Sequence, residues 1–595
     1  MQTKTTRLLP AFFLTLLFFG ISFFTAYGLG SLNPALILVL ISLLWIVYKQ
    51  LGVHLFSLEF DFQTIACLFF SALFALTLAT GTRIQFTHVS ASYKETSITT
   101  FSFFQVLVFL STFIYCLLML RFIIKILPDL TSYFTSNKAK PRSIWKYFLF
   151  FTSILLISWL PYALALYPGV VLPDSLSSIG QALGDAPLNN HHPILFTLIV
   201  QFFIDVLPIS TINHGVFLFS MMQSLITALS ISYSLCWLMK KKVPLIPIMI
   251  SLGYFSLSPV FPIYVLNMQK DTLFSVACLL FSLTLFDIIS QKDKPTFSLQ
   301  VRLLILALLT TYLRNNGLYV VLGTGVVYGL ISIKRKSYQA FVPIVLTYIL
   351  LISLVIHPLM ARYITPTQSA EQLGIPLQQV SRTLVMDGTM SEHDKEFMNQ
   401  LLPLESYEVY APSLADPIKW HKQFNNEFLN KHKKEFLMLW ARNLPSNIQI
   451  YTDAYILDTF GFWIPNVKNS YGFLDTRVNT NSYGIKQADL IARYTGNSGM
   501  ERIIAQRNFF GSGTLLWWVL FSLLLAVIIR NKKTIVLLLP GLLVFLTIMI
   551  ATPVAFSLRY VFILALALPI YLIAPFLLEK NNETIGDSYE ATEKN

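Results

Sequence analysis

The chain has 595 residues, 55% of them apolar and only 12% charged, with a mean hydropathy of +0.63 and a formal net charge of +13. Soluble domains carry about a quarter charged residues, so the composition excludes an ordinary globule as well as a disordered or fibrous chain. Apolar runs of roughly 18 to 25 residues recur, each able to cross a ~30 Å hydrocarbon layer, and the short alternating segments of a lipid-facing β-barrel are missing. The fold class expected is an all-α polytopic membrane protein.

The spans are expected at 8–28, 32–48, 62–80, 101–121, 145–166, 214–238, 244–265, 272–290, 300–313, 317–333, 339–359, 512–529, 534–551 and 560–578, about fourteen transmembrane helices. The first follows Lys4 and Arg7 as a signal peptide would, but it lacks a small-residue cleavage site and a second span follows at once, so it reads as a retained helix. Cys67, Cys116, Cys236 and Cys278 all fall in apolar runs, which leaves no disulfide framework or cysteine zinc site.

Charge orders the ladder. Residues 360–511 hold 15 basic and 15 acidic side chains, so the whole excess of +13 belongs to the membrane part. There it gathers at Lys49, at Lys125 with Lys138, Lys140 and Arg142, at Lys240 to Lys242, at Lys292 and Lys294, at Lys334 to Lys336, and at Arg530 with Lys532 and Lys533. These clusters alternate along the ladder as the positive-inside bias requires, so they signal topology and not a nucleic-acid partner. Both termini are then cytoplasmic in the cell membrane, and loops 81–100, 167–213, 266–271, 314–316, 360–511 and 552–559 lie outside. The apolar stretch 193–207 is placed as a helix on the outer membrane surface, because a further span would put Lys240 to Lys242 outside.

Five regions result: an accessory four-helix region 1–144; a transmembrane module 145–359 with a first external loop at 167–213; a mainly helical extracytoplasmic domain 360–511; C-terminal helices 512–578; and a disordered cytoplasmic tail 579–595. In the external domain Ser391 precedes Asp394 as in a capping box, and Asp416-Pro417 reads as a cap before a first-turn proline. Its aromatics, Trp420, Trp440, Tyr451, Tyr455, Phe460, Phe462 and Trp463, suit the core of a small helical domain.

Charged groups at membrane helices cost ~2.5 to 3.5 kcal/mol on insertion scales, so those present mark a candidate site. Asp174 leaves the fifth span in a Pro-bounded loop, where desolvation is expected to raise its pKa toward that of a useful base; it also suits the N-cap of a helix starting at Ser175. His191 and His192 precede Pro193, as phosphate or hydroxyl ligands or as a plain helix start. Adjacent histidines share no helical face and make a poor metal pair. Lys270 and Asp271 form an ion pair or hold an anion. Arg314 and Asn315 interrupt a long apolar stretch, where the guanidinium either clamps a phosphate or reaches for headgroups. Arg559 opens the last span in the same way.

The segments YPGVVLPDS (167–175), NNHHPILFTLI (189–199), NMQKDTLFS (267–275), LRNNGLYVV (313–321), IPLQQVSRTLV (375–385) and DTFGFWIP (458–465) resemble the GT-C superfamily of membrane glycosyltransferases, and more closely its uncharacterised bacterial branch, the DUF6020-type family, over roughly 145–580. The resemblance implies a GT-C-like module and an inverting glycosyltransferase. Its donor is a sugar linked to polyprenyl phosphate and its acceptor a cell-envelope polymer or glycolipid. It maps the catalytic acid of the first external loop onto Asp174. The superfamily's paired acids are absent here, since Asp174-Ser175 is followed next by Asp185, and this counts against a divalent metal; no other cofactor is implied. In this reading Asp174 is the general base, while His191, His192, Lys270, Asp271, Arg314, Asn315 and Arg559 bind donor phosphate or substrate. A lipid-linked saccharide flippase or transporter, and a polysaccharide polymerase or ligase using Arg314, Arg362, Arg382 and Arg559, are the competing readings.

Overall fold

A computed structural model describes residues 2–52, 61–84, 98–136, 143–291, 295–334, 338–365, 369–465, 467, 474–506, 510–551, 554 and 557–578. The basic residues noted at 138–142, 292–294 and 335–336, most of loop 81–100 and the tail 579–595 lie outside the described residues. Among those described, the chain is helical and carries isolated β-bridges but no strand.

Long apolar runs make the long elements, and short polar residues start several of them. Asn33 caps α2 (Pro34–Leu51), with Pro34 in the first turn, and Asp61 caps α3 (Phe62–Gly81) by accepting the Thr64 N–H at 2.8 Å. With α1 (Gln2–Gly28) and α4 (Phe103–Ser136) these form the N-terminal region. Next come α5 (Ile144–Ala165), the short α6 (Pro173–Ala182) and α7 (Ile194–Gln201), then α8 (Ile212–Lys240), α9 (Leu245–Leu257), α10 (Val260–Leu266), α11 (Lys270–Ser290), α12 (Phe297–Leu313) and α13 (Gly317–Lys334). The module closes with α14 (Tyr338–Leu350), which passes through a π-helical stretch into α15 (His357–Tyr363).

Among the described residues, ten helices are long and apolar enough to cross a membrane, against the fourteen spans expected. The difference has a physical source. The expected span 244–265 is broken into α9 and α10, bent by 55° where Ser258-Pro259 interrupts the hydrogen-bond ladder. At 17 residues each, α12 and α24 (Ser512–Ile528) are shorter than the ten. Stretch 193–207 forms α7 and a π-helical turn, Phe202–Val206; Phe196, Val200 and Ile204 are buried while Leu198, Phe202 and Val206 are exposed.

Residues 370–451 have a hydrophobic core of their own, built on α16 (Gly374–Val385), α17 (Glu392–Leu401), α18 (Asp416–Lys419), α19 (Asn426–Lys431), α20 (Lys433–Asn443) and α21 (Ile448–Thr459). Ser391 caps α17 as read from the sequence, whereas the cap of α18 is Ala415 and Asp416 is its first helical residue. Trp440 and Tyr451 pack in or against this core, but Phe460, Phe462, Ile464, Leu474 and Ile485 join the large cluster of the helical bundle. After α22 (Leu490–Thr495) and α23 (Gly499–Gln506), α24, α25 (Lys532–Ile550) and α26 (Phe562–Ile573) complete that bundle.

The bundle has two chemically distinct ends. Helix α11 starts at Lys270 and, at 1.5 Å per residue, its 21 residues run about 30 Å to a far end where Asp287 meets Lys241 at 2.7 Å. Helix α26 begins beside Arg559, and its far end is tied to the basic turn at 530–533 through Asn531 Nδ2, which donates to the Pro575 carbonyl at 3.1 Å. The basic clusters at 240–242 and 530–533 therefore share one end, and Lys270 and Arg559 share the other.

Gly169 lies in the loop leading to α6 with φ +136°, and a Cβ there would collide with Ser220 Oγ and meet the Leu266 carbonyl at 2.8 Å. Gly169→Ala is expected to destabilise the fold by ~1–3 kcal/mol through backbone strain and clash, read as a lowered melting temperature of the purified protein.

Candidate functional site

Two chain segments are tied together before any charged side chain is considered. The Val170 N–H donates to the Leu266 carbonyl at 2.9 Å, and the Met268 N–H donates to the Val170 carbonyl at 3.0 Å. Ser175 Oγ donates to the Met268 carbonyl at 2.7 Å. Gln223, fully buried in α8, donates its amide to the carbonyls of Tyr264, Val265 and Asn267 at 3.3, 2.9 and 2.7 Å. These carbonyls end α10, where intrahelical donors run out, so the side chain meets an otherwise costly deficit. The result fixes the start of α6 against the start of α11.

The same loop is held from the other side. The Asn479 N–H donates to the Val171 carbonyl at 2.8 Å and the Ala488 N–H to the Tyr167 carbonyl at 2.7 Å. The Thr365 N–H donates to the Leu188 carbonyl at 3.0 Å, and Asn315 Nδ2 to the Asn190 carbonyl at 2.8 Å, which positions the two histidines.

Asp174, His192, Lys270 and Asp271 thereby line one narrow cleft, with Phe196, Met268 and Gln269 completing its wall. Arg559 Nη1 donates to Asp174 Oδ2 at 2.8 Å, and Arg559 Nη2 donates to Tyr560 Oη at 2.9 Å. Lys270 Nζ lies 2.9 Å from His192 Nδ1; an ammonium can only donate, so that nitrogen accepts and the ring proton sits on Nε2. Arg314 lies 3.2 Å from the Asp271 carboxylate, which is 1% exposed, and donates to the Tyr560 carbonyl at 2.7 Å. Arg314 and Arg559 also stack on the Tyr560 ring at 5.0 and 4.8 Å. His191 packs edge-on against His192 and, at 6.1 Å, against Trp420 of the 370–451 domain.

Two expectations about Asp174 change here. Asp174 is not the cap of α6: Leu172 holds that position, Pro173 starts the helix, and Ser175 Oγ receives the Leu172 N–H. The carboxyl is not raised toward a neutral-range base either. Burial alone pushes it up, but the Arg559 guanidinium and the Lys270 ammonium outweigh burial and hold it well below the usual carboxylate range. Arg314 is already engaged by Asp271 and the Tyr560 carbonyl, and Asn315 serves to hold the histidine loop. Burial pushes the His192 imidazole down to about 3, the Lys270 charge adding to the effect and Asp174 opposing it. His191 is lowered too, by burial first, with Glu371 working the other way. Among the described residues, no three His, Cys, Asp or Glu side chains converge as metal ligands, and His192 Nδ1 is taken by Lys270.

The sequence reading missed several partners. Tyr560 was legible only as the neighbour of Arg559. Lys419, 3% exposed and 3.0 Å from both Glu371 and Asp416, was signalled by the i, i+3 spacing of Asp416 and Lys419. Gln223 stood out as an amide within an apolar run. Asp458, wholly buried in α21, has its carboxyl pushed up to about 8 by that burial, with Gln378 and Lys419 pulling it down.

The fold and cleft thus define a multi-pass helical membrane protein with a charged pocket at one bundle end. The chain belongs to a family of unknown function, DUF6020, which it matches over residues 183–588; every site residue except Asp174 lies within that match. Neither a curated protein nor a solved structure matches it.

Between about pH 3 and about pH 6.5 His192 is neutral when folded and takes up a proton on unfolding, so its contribution is full above about 6.5 and is lost as pH falls toward about 3. The melting temperature is expected to fall on acidification from pH ~7 to pH ~4, with this residue supplying up to ~1.4 kcal/mol per pH unit. His192→Asn is expected to flatten that slope in a pH series of thermal melts.

Proposed function

We propose that this chain is a GT-C-type inverting glycosyltransferase that moves a sugar from a polyprenyl-phosphate carrier to an acceptor outside the cytoplasmic membrane. The observation that carries the reading is the Asp174 carboxylate held beside Arg559 and Lys270 at the bundle end opposite the basic turns 240–242 and 530–533. The positive-inside bias makes the basic end cytoplasmic and the cleft extracytoplasmic. Taking the bent pair and the apolar helices α1, α12 and α24 as further spans gives an even number, which supports the reading of both termini as cytoplasmic.

The chemistry follows from the charges. The donor phosphate replaces Asp174 as the partner of Arg559 and Lys270, and the prenyl chain stays among the apolar helices. With the Arg559 charge spent on phosphate, the Asp174 carboxyl regains basicity and takes the proton of the acceptor hydroxyl. The hydroxyl oxygen bonds to the anomeric carbon as the carbon–oxygen bond to phosphate breaks. The electron pair leaves on polyprenyl phosphate, where the cations stabilise it. His192 holds the Lys270 ammonium in place, and Arg314 neutralises Asp271 beneath it.

Asp174→Asn is expected to lower transfer from a polyprenyl-phosphate sugar to a cell-envelope extract by ~10²-fold or more in proteoliposomes, with the helical circular-dichroism spectrum retained and the melting temperature lowered as Arg559 loses its partner. Undiminished transfer overturns the base assignment. Movement of the lipid-linked sugar across the bilayer without acceptor, equal in both proteins, replaces the enzyme by a flippase.

A further inference from the structure

We infer that Trp420, with Glu371 and Asp416 beside it, forms a subsite for an uncharged, hydroxyl-rich carbohydrate leading into the Asp174 cleft; the inference rests on the transferase reading above and names its acceptor class. Trp420 is 60% exposed although the preceding Ile418 and Lys419 are buried. The short helix α18 aims it outward, with the Trp420 N–H donating to the Asp416 carbonyl at 2.9 Å. Exposed single hydrophobics are ordinary, so exposure by itself means little. What distinguishes this one is its surroundings.

Buried Lys419 takes one oxygen each from Glu371 and Asp416, at 3.0 Å, and those two side chains keep 18% and 34% exposure. Among the described residues, the second oxygen of each carboxylate and the Trp420 indole N–H have no protein partner, so two acceptors and one donor border the aromatic face. The opposite edge is His191, 6.1 Å from the Trp420 ring, then His192 at 4.5 Å from His191, then Lys270 at the Asp174 cleft. Ring contacts from Trp420 through His191 to His192, and then the Lys270–His192 hydrogen bond, therefore lead from the tryptophan to the cleft that Asp174 lines.

A pyranose presents an apolar C–H face and a rim of hydroxyls, and it meets this arrangement on both counts: the C–H face packs on the indole and the hydroxyls donate to the free carboxylate oxygens. One lysine against two carboxylates leaves the subsite net negative, which disfavours a phosphate-bearing acceptor there. The ligand class is therefore a neutral glycan.

The test uses the full chain in nanodiscs, with maltotriose, cellotriose and chitotriose as neutral probes and glycerol phosphate as the anionic one, read by saturation-transfer NMR. The inference expects ring-proton saturation of at least one trisaccharide and none of glycerol phosphate. Trp420→Ala is expected to weaken that binding about tenfold, ~1.4 kcal/mol, while Trp420→Phe retains it. Equal binding by wild type and Trp420→Ala, or no saturation of any trisaccharide, overturns the inference even where sugar transfer is intact. Trp420-dependent binding in a protein that transfers nothing upholds the subsite and counts against the transferase reading alone.

Discussion

The structure depends on how the break between α10 and α11 is satisfied. A helix that ends inside a bundle leaves carbonyls without donors, and in an apolar surround each such group is costly. Gln223 supplies two amide hydrogens to three of these carbonyls, and the backbone of 170 and Ser175 supply the rest of the seam. That seam is the reason Lys270 and Asp174, ninety-six positions apart, open into the same cleft. Without it the two charges have no fixed relation.

The second constraint is electrostatic. Two carboxylates and three cations sit within a mostly apolar bundle end, and each carboxylate has a guanidinium: Arg559 for Asp174 and Arg314 for Asp271. Removing one partner from such a set strands its counterpart, which is why buried ion pairs tolerate single substitutions poorly. Lys270 is the cation left with a neutral partner, His192, and the cluster keeps one net positive charge. An incoming anion completes that balance. The pairing also means that Asp174 is masked until something else engages Arg559.

Much of this was legible in the residues. Hydropathy located the helices, because their apolar runs are long, and the basic turns marked one end, because Lys and Arg cluster in short loops. Asp174, His192, Lys270 and Asp271 were each visible as polar groups out of place at a membrane helix. Their pairing was not visible: Arg559 lies 385 positions from Asp174, and no local pattern encodes that meeting. The direction of the Asp174 shift was lost for the same reason, since burial can be read from a motif but the cation that outweighs it cannot. The break after α9 was signalled by Ser258-Pro259, yet the surrounding apolar run hid it. Trp420 looked like one more core aromatic, because spacing gives the face of a helix and α18 is too short to have one.

The central claim is that the charged cleft opens on the non-cytoplasmic side. Cysteine placed at the exposed position Asp185 (Asp185→Cys) and, separately, at Lys242 (Lys242→Cys) reports this directly in intact cells treated with a membrane-impermeant maleimide. The account predicts labelling at 185 in intact cells and at 242 only after permeabilisation. Labelling at 242 in intact cells, with 185 protected, contradicts it.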